Sequence, residues 1–152
     1  MNKDKNLINK VNPSSVNNSN ASIIVQFTVY TSEEYLSALL NDLGENNLNI
    51  SAFYISENNK QLKFVFIVGE DDVQSSSDVN VTRSILKQNR FKFDETKVVR
   101  ISTPNNAGLL AYHYSELIKN LTVYNSYIGE DGSIIYETCC PTKTLKAVNE
   151  LS

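Results

Sequence analysis

The clearest pattern of hydrophobic and polar positions begins at Ile23. Through residues 23–30 every second side chain is apolar, at Ile23, Val25, Phe27 and Val29. A period of two is typical of a β-strand with one buried face. The period then changes, because apolar residues recur three and four positions apart, at Tyr35, Leu36, Leu39, Leu40 and Leu43. This spacing predicts an amphipathic helix over residues 33–46, with Glu33 and Glu34 at the positive end of its dipole.

The next segments predict a hairpin and a second helix. Residues 50–56 and 62–68 are rich in β-branched and aromatic side chains, which favour strands. Between them stands Asn58-Asn59, and asparagine tolerates the positive φ of a two-residue turn. A helical spacing follows at Val79, Thr82, Ile85 and Leu86, and residues 91–101 are extended in pattern. The order is therefore strand, helix, strand, strand, helix, strand.

The same order then starts again. The second copy predicts strands and helices over residues 97–103, 107–120, 123–128, from Ser133 and from about Thr142. Leu110 stands where Leu36 stands in the first copy, and a turn at Asp131-Gly132 matches the earlier one. Residues 91–101 must therefore serve both copies. The second copy has no fourth strand, so we expect an open edge that solvent, a partner chain or copy one must cover.

This arrangement predicts the α+β class, with two ferredoxin-like βαββαβ units in tandem and the second lacking its last strand. Residues 1–21 are polar and without period, and we expect a flexible tail there. The first unit spans residues 22–96 and the second, truncated unit spans residues 97–152. Units of this size gain stability by packing together, so we expect one body.

Charge and hydropathy narrow the classes of partner. The formal net charge is −3 and the isoelectric point is about 5.2, so the chain has no basic field for a polyanion and we expect no nucleic-acid partner. No apolar run precedes Ile23, so we expect no signal segment, no membrane partner and a cytoplasmic location.

The residues that usually carry catalysis are few. Cys139 and Cys140 are adjacent, and because a bridge between neighbours is strained we expect reduced thiols on opposite faces of a strand end. His113 is the single histidine. It falls on the predicted apolar stripe of helix 107–120, with Leu110, Tyr114, Leu117 and Ile118, which favours a packed, hydrogen-bonded side chain over a base. A Cys–His nucleophile would need spatial adjacency that the sequence does not show. The sequence contains neither the spacing of a metal site nor a phosphate-binding loop, so we expect that the protein binds no cofactor and is not an enzyme.

The sharpest local feature is the bend at residues 103–110. It leads from a strand into a helix through Gly108, which leaves backbone N–H groups open to a carboxylate beside a positive dipole end. Asn105 and Asn106 add neutral donors and acceptors that suit a zwitterion. Ordinary strand-to-helix turn chemistry explains the same residues without any ligand.

Residues 105–110 resemble the Asp-X-Pro-Gly-X-Leu turn of the ACT domain family. Leu117 and the segment 121–123 follow at the places of the family's helix and of its Gly-Ile-Asn-Ile motif before strand two. In copy one the matching positions are Leu36, Leu43 and residues 48–50, where Asn49 is the residue typical of the family. The resemblance covers residues 22–151, in the form of a stand-alone protein made of two ACT domains.

This resemblance implies a non-catalytic regulatory module that binds a free amino acid or a similar small effector at an interface between domains, and a homodimer. The residues it assigns to the ligand are Asn105, Asn106, Ala107, Gly108 and Leu109, completed by Tyr124, Asn125 and Ser126 or by Ser51, Ala52 and Phe53 of the other copy. The chain departs from the family pattern at Asn105, often Asp, and at Ala107, often Pro. In copy one Glu33 and Glu34 occupy the Pro-Gly positions and would repel a ligand carboxylate.

Two other functions fit parts of the pattern. The βαββαβ order also describes the RNA-recognition module, and Lys63-Phe64-Val65-Phe66 faintly matches its aromatic motif, but the negative charge opposes it. The second alternative is an ACT tandem that binds no ligand and serves as a protein-interaction or dimerisation module.

Overall fold

The structure, a computed structural model, describes residues 20–70, 74–102 and 107–151. In these ranges the chain forms six strands and four helices. In chain order they are β1 Asn20–Thr31, α1 Glu33–Glu45, β2 Ile50–Asn58, β3 Gln61–Val68, α2 Ser76–Gln88, β4 Lys92–Ser102, α3 Leu109–Leu117, β5 Val123–Ile128, β6 Ile134–Thr138 and α4 Pro141–Glu150. The predicted tail, residues 1–21, lies outside the described residues except for Asn20 and Ala21, which begin β1.

All six strands join one antiparallel sheet in the order β2, β3, β1, β4, β6, β5. Strands β4, β1, β3 and β2 of copy one are arranged as in a ferredoxin-like unit, and β4, β6 and β5 repeat the arrangement in copy two. The predicted α+β class with two ferredoxin-like repeats is therefore confirmed. The predicted division between residues 96 and 97 falls inside β4, which belongs to both copies.

The first half of β1 supplies the strand that copy two lacks. β1 pairs with β4 along its whole length, from Asn20 opposite Ser102 to Tyr30 opposite Lys92, whereas it pairs with β3 only from Phe27 onward. Where β1 extends past β3, the Gln74 side chain accepts from the Val25 N–H at 2.7 Å and donates to the Val25 carbonyl at 2.9 Å. Of the three possible covers for the open edge, copy one is therefore the one observed.

The helices cover one face of the sheet and bury two apolar clusters. Under α1 and α2 the cluster includes Phe27 and Phe66, whose rings stack with centroids 5.6 Å apart. Under α3 and α4 it includes Val99, Tyr136 and Val148. Of the residues that the alternation predicted as the buried face of β1, Phe27 and Val29 belong to the first cluster and Val25 packs against it, whereas Ile23 is exposed. The other face is also buried, at Ile24 and Gln26, so the prediction of one buried face was wrong for this strand.

On the other face the sheet curls until its outermost strands touch. The Glu130 N–H, just after β5, donates to the Ser51 carbonyl of β2 at 2.8 Å, and the rings of Tyr54 and Tyr127 meet edge to face at 5.1 Å. A third apolar cluster fills the space between, formed by Ile24, Ala52, Ile67, Val98 and Ile135. The two copies are thus joined by a shared sheet and by contacts across its concave face.

The first hairpin turn lies one residue later than predicted. Asn58 still pairs with Gln61, and the two residues with positive φ are Asn59 at 48° and Lys60 at 67°. The prediction of Asn58-Asn59 was wrong by one position, because Asn58 remains in the ladder and a lysine takes the second left-handed place. Copy two's turn has Gly132 at φ 82°, and Asp131 Oδ1 accepts from the Ser133 N–H at 3.0 Å.

No helix within the described ranges combines the length and apolar character needed to cross a membrane. Over the same residues, no three His, Cys, Asp or Glu side chains are grouped so that they could hold a metal ion.

Candidate functional site

The bend before α3 adopts a conformation that requires glycine. Gly108 is the N-cap of α3 with φ 86° and ψ −7°, in the left-handed region, and the Tyr112 N–H donates to its carbonyl at 3.0 Å. A Cβ built on Gly108 would meet nothing within 4 Å, so the backbone conformation, rather than a lack of space, selects glycine here. Asn105 and Asn106 lie outside the described residues.

The start of α3 receives no hydrogen bond from the side chain of its N-cap residue. The first N–H groups of a helix have no intrahelical acceptor, and they carry the positive end of the dipole. Since glycine has no side chain to satisfy them, the N–H groups of Leu109, Leu110 and Ala111 form the polar part of the candidate site.

Beside this helix start lies a groove with a volume of about 510 Å³ between α3 and the hairpin of β5 and β6. It is lined by Leu110, Ala111, Tyr114, Ser126, Tyr127, Ile128 and Ile134. The volume lies in the range of small-molecule sites, and an apolar lining with few polar groups is typical of them. Among the residues that the structure describes, no charged side chain lines this groove.

The structure brings some of the predicted residues together and separates others. Ser126 is exposed and lines the groove, Ala107 and Gly108 are exposed just before α3, and the Leu109 side chain is buried in the core. Tyr124 is 60% exposed but does not line the groove. Asn125 points to the opposite face of β5, where its Nδ2 donates to Glu137 Oε2 at 2.7 Å.

The candidates from the other copy lie elsewhere. Ser51 and Ala52 are buried on the concave face, and Ser51 Oγ accepts from the Arg100 guanidinium at 2.7 Å. Phe53 is exposed and does not line the groove. Strand β2 therefore contacts copy two through Arg100 and Glu130 rather than at the start of α3.

Sequence reasoning missed most of the groove wall because it assigned Leu110 and Tyr114 to the core stripe of α3. They are 48% and 45% exposed, whereas Leu109, His113 and Leu117 are buried. A signal was present, since α3 carries apolar or aromatic residues on more than one face, and such a helix needs more than one covering surface.

His113 is fully buried in α3, as predicted. Burial lowers the pKa of its imidazole, which favours the neutral ring. Neither ring nitrogen has a hydrogen-bond partner within the described residues, so the predicted hydrogen bond is not found there. A hydrogen-bonded pair with a cysteine is likewise not formed in that part of the chain.

The prediction that the two cysteines face opposite sides was wrong. Cys139 follows the last residue of β6 and Cys140 is the N-cap of α4, with φ −146° and ψ 86°. Strand alternation does not continue through these residues, and the two sulfur atoms lie 3.1 Å apart. The two residues form no disulfide.

The corresponding position in copy one is strongly acidic. A cavity of about 420 Å³ beside the start of α1 is lined by Ser32, Glu33, Glu34, Glu57, Lys60, Gln61 and Leu62. Three carboxylates and one ammonium group face it. Since like charges repel, this cavity is unfavourable for a ligand carboxylate.

A buried polar group holds the concave face together. The Arg100 side chain is completely buried, and burying a charge is costly without polar partners. Burial alone would raise the pKa of the nearby Asp131, but hydrogen bonds from Ser133 and the charge of Arg100 hold it below its usual value. Tyr127 donates to Gln26 Oε1 at 2.6 Å, and burial raises the pKa of its hydroxyl.

Comparison with solved structures agrees with this architecture. The chain is similar to a protein from Bacteroides thetaiotaomicron, with a TM-score of 0.72, 24% identity and coverage of 86% of this chain and 89% of the other. It is also similar to the ligand-free regulatory subunit of aspartate kinase from Thermus thermophilus, with a TM-score of 0.56, 10% identity and coverage of 86% and 95%. For the regulatory subunit of aspartate kinase from Thermus flavus, the TM-score is 0.58 and the identity is 10%, with coverage of 88% of this chain and 93% of the other.

No protein-family model matches the chain, and no curated protein matches its sequence. The aspartate kinase regulatory subunits are ACT-domain structures, so the resemblance predicted from the turn and repeat motifs is confirmed at the level of the fold. The chain has the fold of a tandem of ACT domains.

Proposed function

We propose that this tandem ACT-type chain is a non-catalytic regulatory module that binds a small effector of the amino-acid class at the start of α3. The observation that carries the proposal is the helix start at Gly108, which has no side-chain cap, next to a groove that no charged side chain lines in the described part of the chain. The likeness to aspartate kinase regulatory subunits supports the regulatory part, because those proteins control an enzyme rather than catalyse.

Each part of the effector has a matching surface. Its carboxylate would accept from the N–H groups at the start of α3, where a positive dipole end favours an anion. Its side chain would lie in the groove against Leu110, Tyr114 and Ile128, which favours an apolar or aromatic amino acid. We assign the ammonium group to the carbonyl and amide oxygens of Asn105 and Asn106.

The effector site belongs to copy two alone in this proposal. Glu33 and Glu34 stand at the start of α1 where copy two has Ala107 and Gly108, and Glu57 adds a third carboxylate to the same cavity. Their summed charge opposes a ligand carboxylate at short range.

A thermal-shift screen against the twenty amino acids is the direct test. An effector at about 100 times its Kd should stabilise the chain by roughly 2.7 kcal/mol. Gly108→Val should abolish this shift, because a β-branched residue strongly disfavours φ 86° and would move the first N–H groups. Gly108→Asn is the matched control, since asparagine tolerates the left-handed region and should retain affinity within a few-fold.

Two further variants locate the site. Asn105→Ala is expected to weaken binding by roughly 1 to 3 kcal/mol through a lost polar contact, and Glu34→Gln should leave affinity nearly unchanged. Equal losses at both turns would show that copy one also binds. If binding persists in Gly108→Val, the effector occupies another place.

A ligand-free interaction or dimerisation module remains the second candidate, and one observation favours it. Both copies expose apolar side chains at equivalent places on the helix and the outer strand. The equivalent pairs are Leu40 with Tyr114 and Ile55 with Ile128, while Phe53 in copy one and Ile118 in copy two are also exposed. Apolar surface repeated in this way is suited to burial against another protein.

We therefore predict a homodimer at micromolar concentration. Light scattering should return twice the 17.1 kDa of one chain, because a second copy would cover the exposed apolar side chains that include Ile55 and Ile128. Ile128→Asp, at a side chain that is 64% exposed, should shift the mass toward one chain, whereas Thr142→Asp on an exposed part of α4 should not. A mass of one chain for the unmodified protein at every concentration would count against the dimer.

A further inference from the structure

The two cysteines form an exposed pair at the junction of β6 and α4. Cys140 Sγ donates to Cys139 Sγ at 3.1 Å, Cys139 is exposed, and Cys140 is partly so. These are the only two cysteines of the chain. Within one chain, each cysteine can therefore form a disulfide only with the other.

The backbone on both sides of the pair is held in place. The Cys139 N–H donates to the Thr122 carbonyl at 3.1 Å, and the Cys140 N–H donates to Thr138 Oγ1 at 3.1 Å. The Cys140 carbonyl accepts from the Thr144 N–H at 3.0 Å and from its hydroxyl at 2.9 Å. Because these bonds fix the backbone of both residues, the fold holds the two Cβ atoms that carry the thiols in fixed relative positions.

The two thiols differ in chemistry. Hydrogen bonds from the Thr122 backbone and the Cys140 thiol lower the pKa of Cys139, and the nearby Lys143 acts in the same direction. The hydrogen bond with Cys139 raises the pKa of Cys140. Both lie at the N-terminus of α4, where the dipole favours an anion. An accessible thiol with a lowered pKa next to a second thiol is the arrangement found in redox-sensing cysteine pairs.

We propose that Cys139 and Cys140 are a redox-active dithiol, in which Cys139 reacts with a hydroperoxide and Cys140 resolves the product to a disulfide between the two neighbours. The Cys139 thiolate attacks one peroxide oxygen, the O–O bond breaks, and the products are a sulfenic acid and a hydroxide or alkoxide ion. Cys140 sulfur then attacks the sulfenic sulfur, its proton goes to the departing oxygen, and water leaves. Two thiols are oxidised and one peroxide is reduced.

The product should be easily reversed. Neighbouring Cα atoms across a trans peptide are about 3.8 Å apart, below the spacing of about 4.4 to 6.8 Å that relaxed disulfides prefer. A strained and exposed disulfide has a higher reduction potential and is readily reduced by thiols. Its formation would also twist the peptide between Cys139 and Cys140, whose N–H donates to Thr138 Oγ1 at 3.1 Å, so oxidation at this junction acts on the start of α4.

Substoichiometric hydrogen peroxide added to the full chain tests the proposal. The expected product is a chain with no disulfide to another chain, which has lost two hydrogens and both titratable thiols. The mass change should lie on the peptide containing residues 139 and 140. Dithiothreitol should restore the original mass. Disulfide-linked dimers, or a stable sulfenic acid that dimedone captures in the unmodified chain, would overturn it.

Single variants separate the two roles. Cys140→Ser should stop at the sulfenic acid on Cys139 and accumulate its dimedone adduct. Cys139→Ser should react more slowly, because the Thr122 backbone hydrogen bond that lowers the pKa of Cys139 does not act on Cys140. Equal rates for the two variants would contradict the assignment of Cys139 as the reacting thiol. Circular dichroism of both variants checks that the fold is retained.

Discussion

Deleting residues 1–24 is expected to destabilise the chain severely, although most of that segment is polar. The deletion removes Asn20 to Ile24, which pair with Ser102 to Val98 of β4 and fill the fourth-strand position of copy two. Ile24 is almost fully buried in the cluster on the concave face. Its lost burial and the lost ladder hydrogen bonds should lower the free energy of unfolding by more than about 4 kcal/mol, a large share of a typical domain's stability.

Deleting residues 1–19 is the matched control, and it should leave the melting temperature unchanged because that segment is polar and without period. Urea unfolding of the two truncated chains measures the difference. Hydrogen exchange should show loss of protection at Val98 to Ser102 only in the longer deletion. Equal stability of the two truncated chains would mean that β1 does not support copy two.

Replacing Arg100 by alanine should have the second large effect. The side chain is completely buried on the concave face, where it donates to Ser51 Oγ at 2.7 Å and connects copy two to β2. Its removal leaves a cavity and takes away the donor to a buried hydroxyl, which together should cost about 3 to 5 kcal/mol. Urea or thermal unfolding measures the loss.

Two further variants separate the contribution of the Arg100 charge from that of its volume and from a general effect of substitution in β4. Arg100→Met keeps most of the volume without the charge, and it should recover part of the stability because buried ionic groups are often replaceable by apolar ones of similar size. Lys97→Ala, at an exposed position of the same strand, should change stability by no more than about 0.5 kcal/mol. A similarly small change for Arg100→Ala would show that the copies stay joined without this side chain.

Local pattern was sufficient for most elements. Strand β5 was predicted as residues 123–128 and observed as Val123–Ile128, and α1 was predicted to one residue at its end. Errors occurred where two local solutions are close in energy. The first turn moved by one residue to Asn59 and Lys60, and α3 ended at Leu117 rather than near residue 120.

The candidate site was predicted less completely. The glycine at Gly108 was identified from its type and place, and its left-handed φ agrees with that reasoning. The sequence also placed Asn125 beside Ser126 in the same site, but neighbouring strand residues face opposite sides of a sheet, and the Asn125 side chain bonds to Glu137. The groove wall at Leu110 and Tyr114 was not predicted, because helical spacing alone does not show which apolar positions are covered.

By itself the sequence determined the repeat, the order of strands and helices, the ferredoxin-like units and the glycine at the start of α3. Periodicity and turn preferences are properties of a few neighbouring residues, so they can be read along the chain. Only the tertiary structure decided that β1 completes copy two, that β2 meets β5 across the concave face, and that Cys139 and Cys140 point the same way. Those outcomes depend on which distant parts of the chain pack against each other. The hydrophobic effect that drives this packing is non-directional, so apolar positions in the sequence do not show which partner each surface takes.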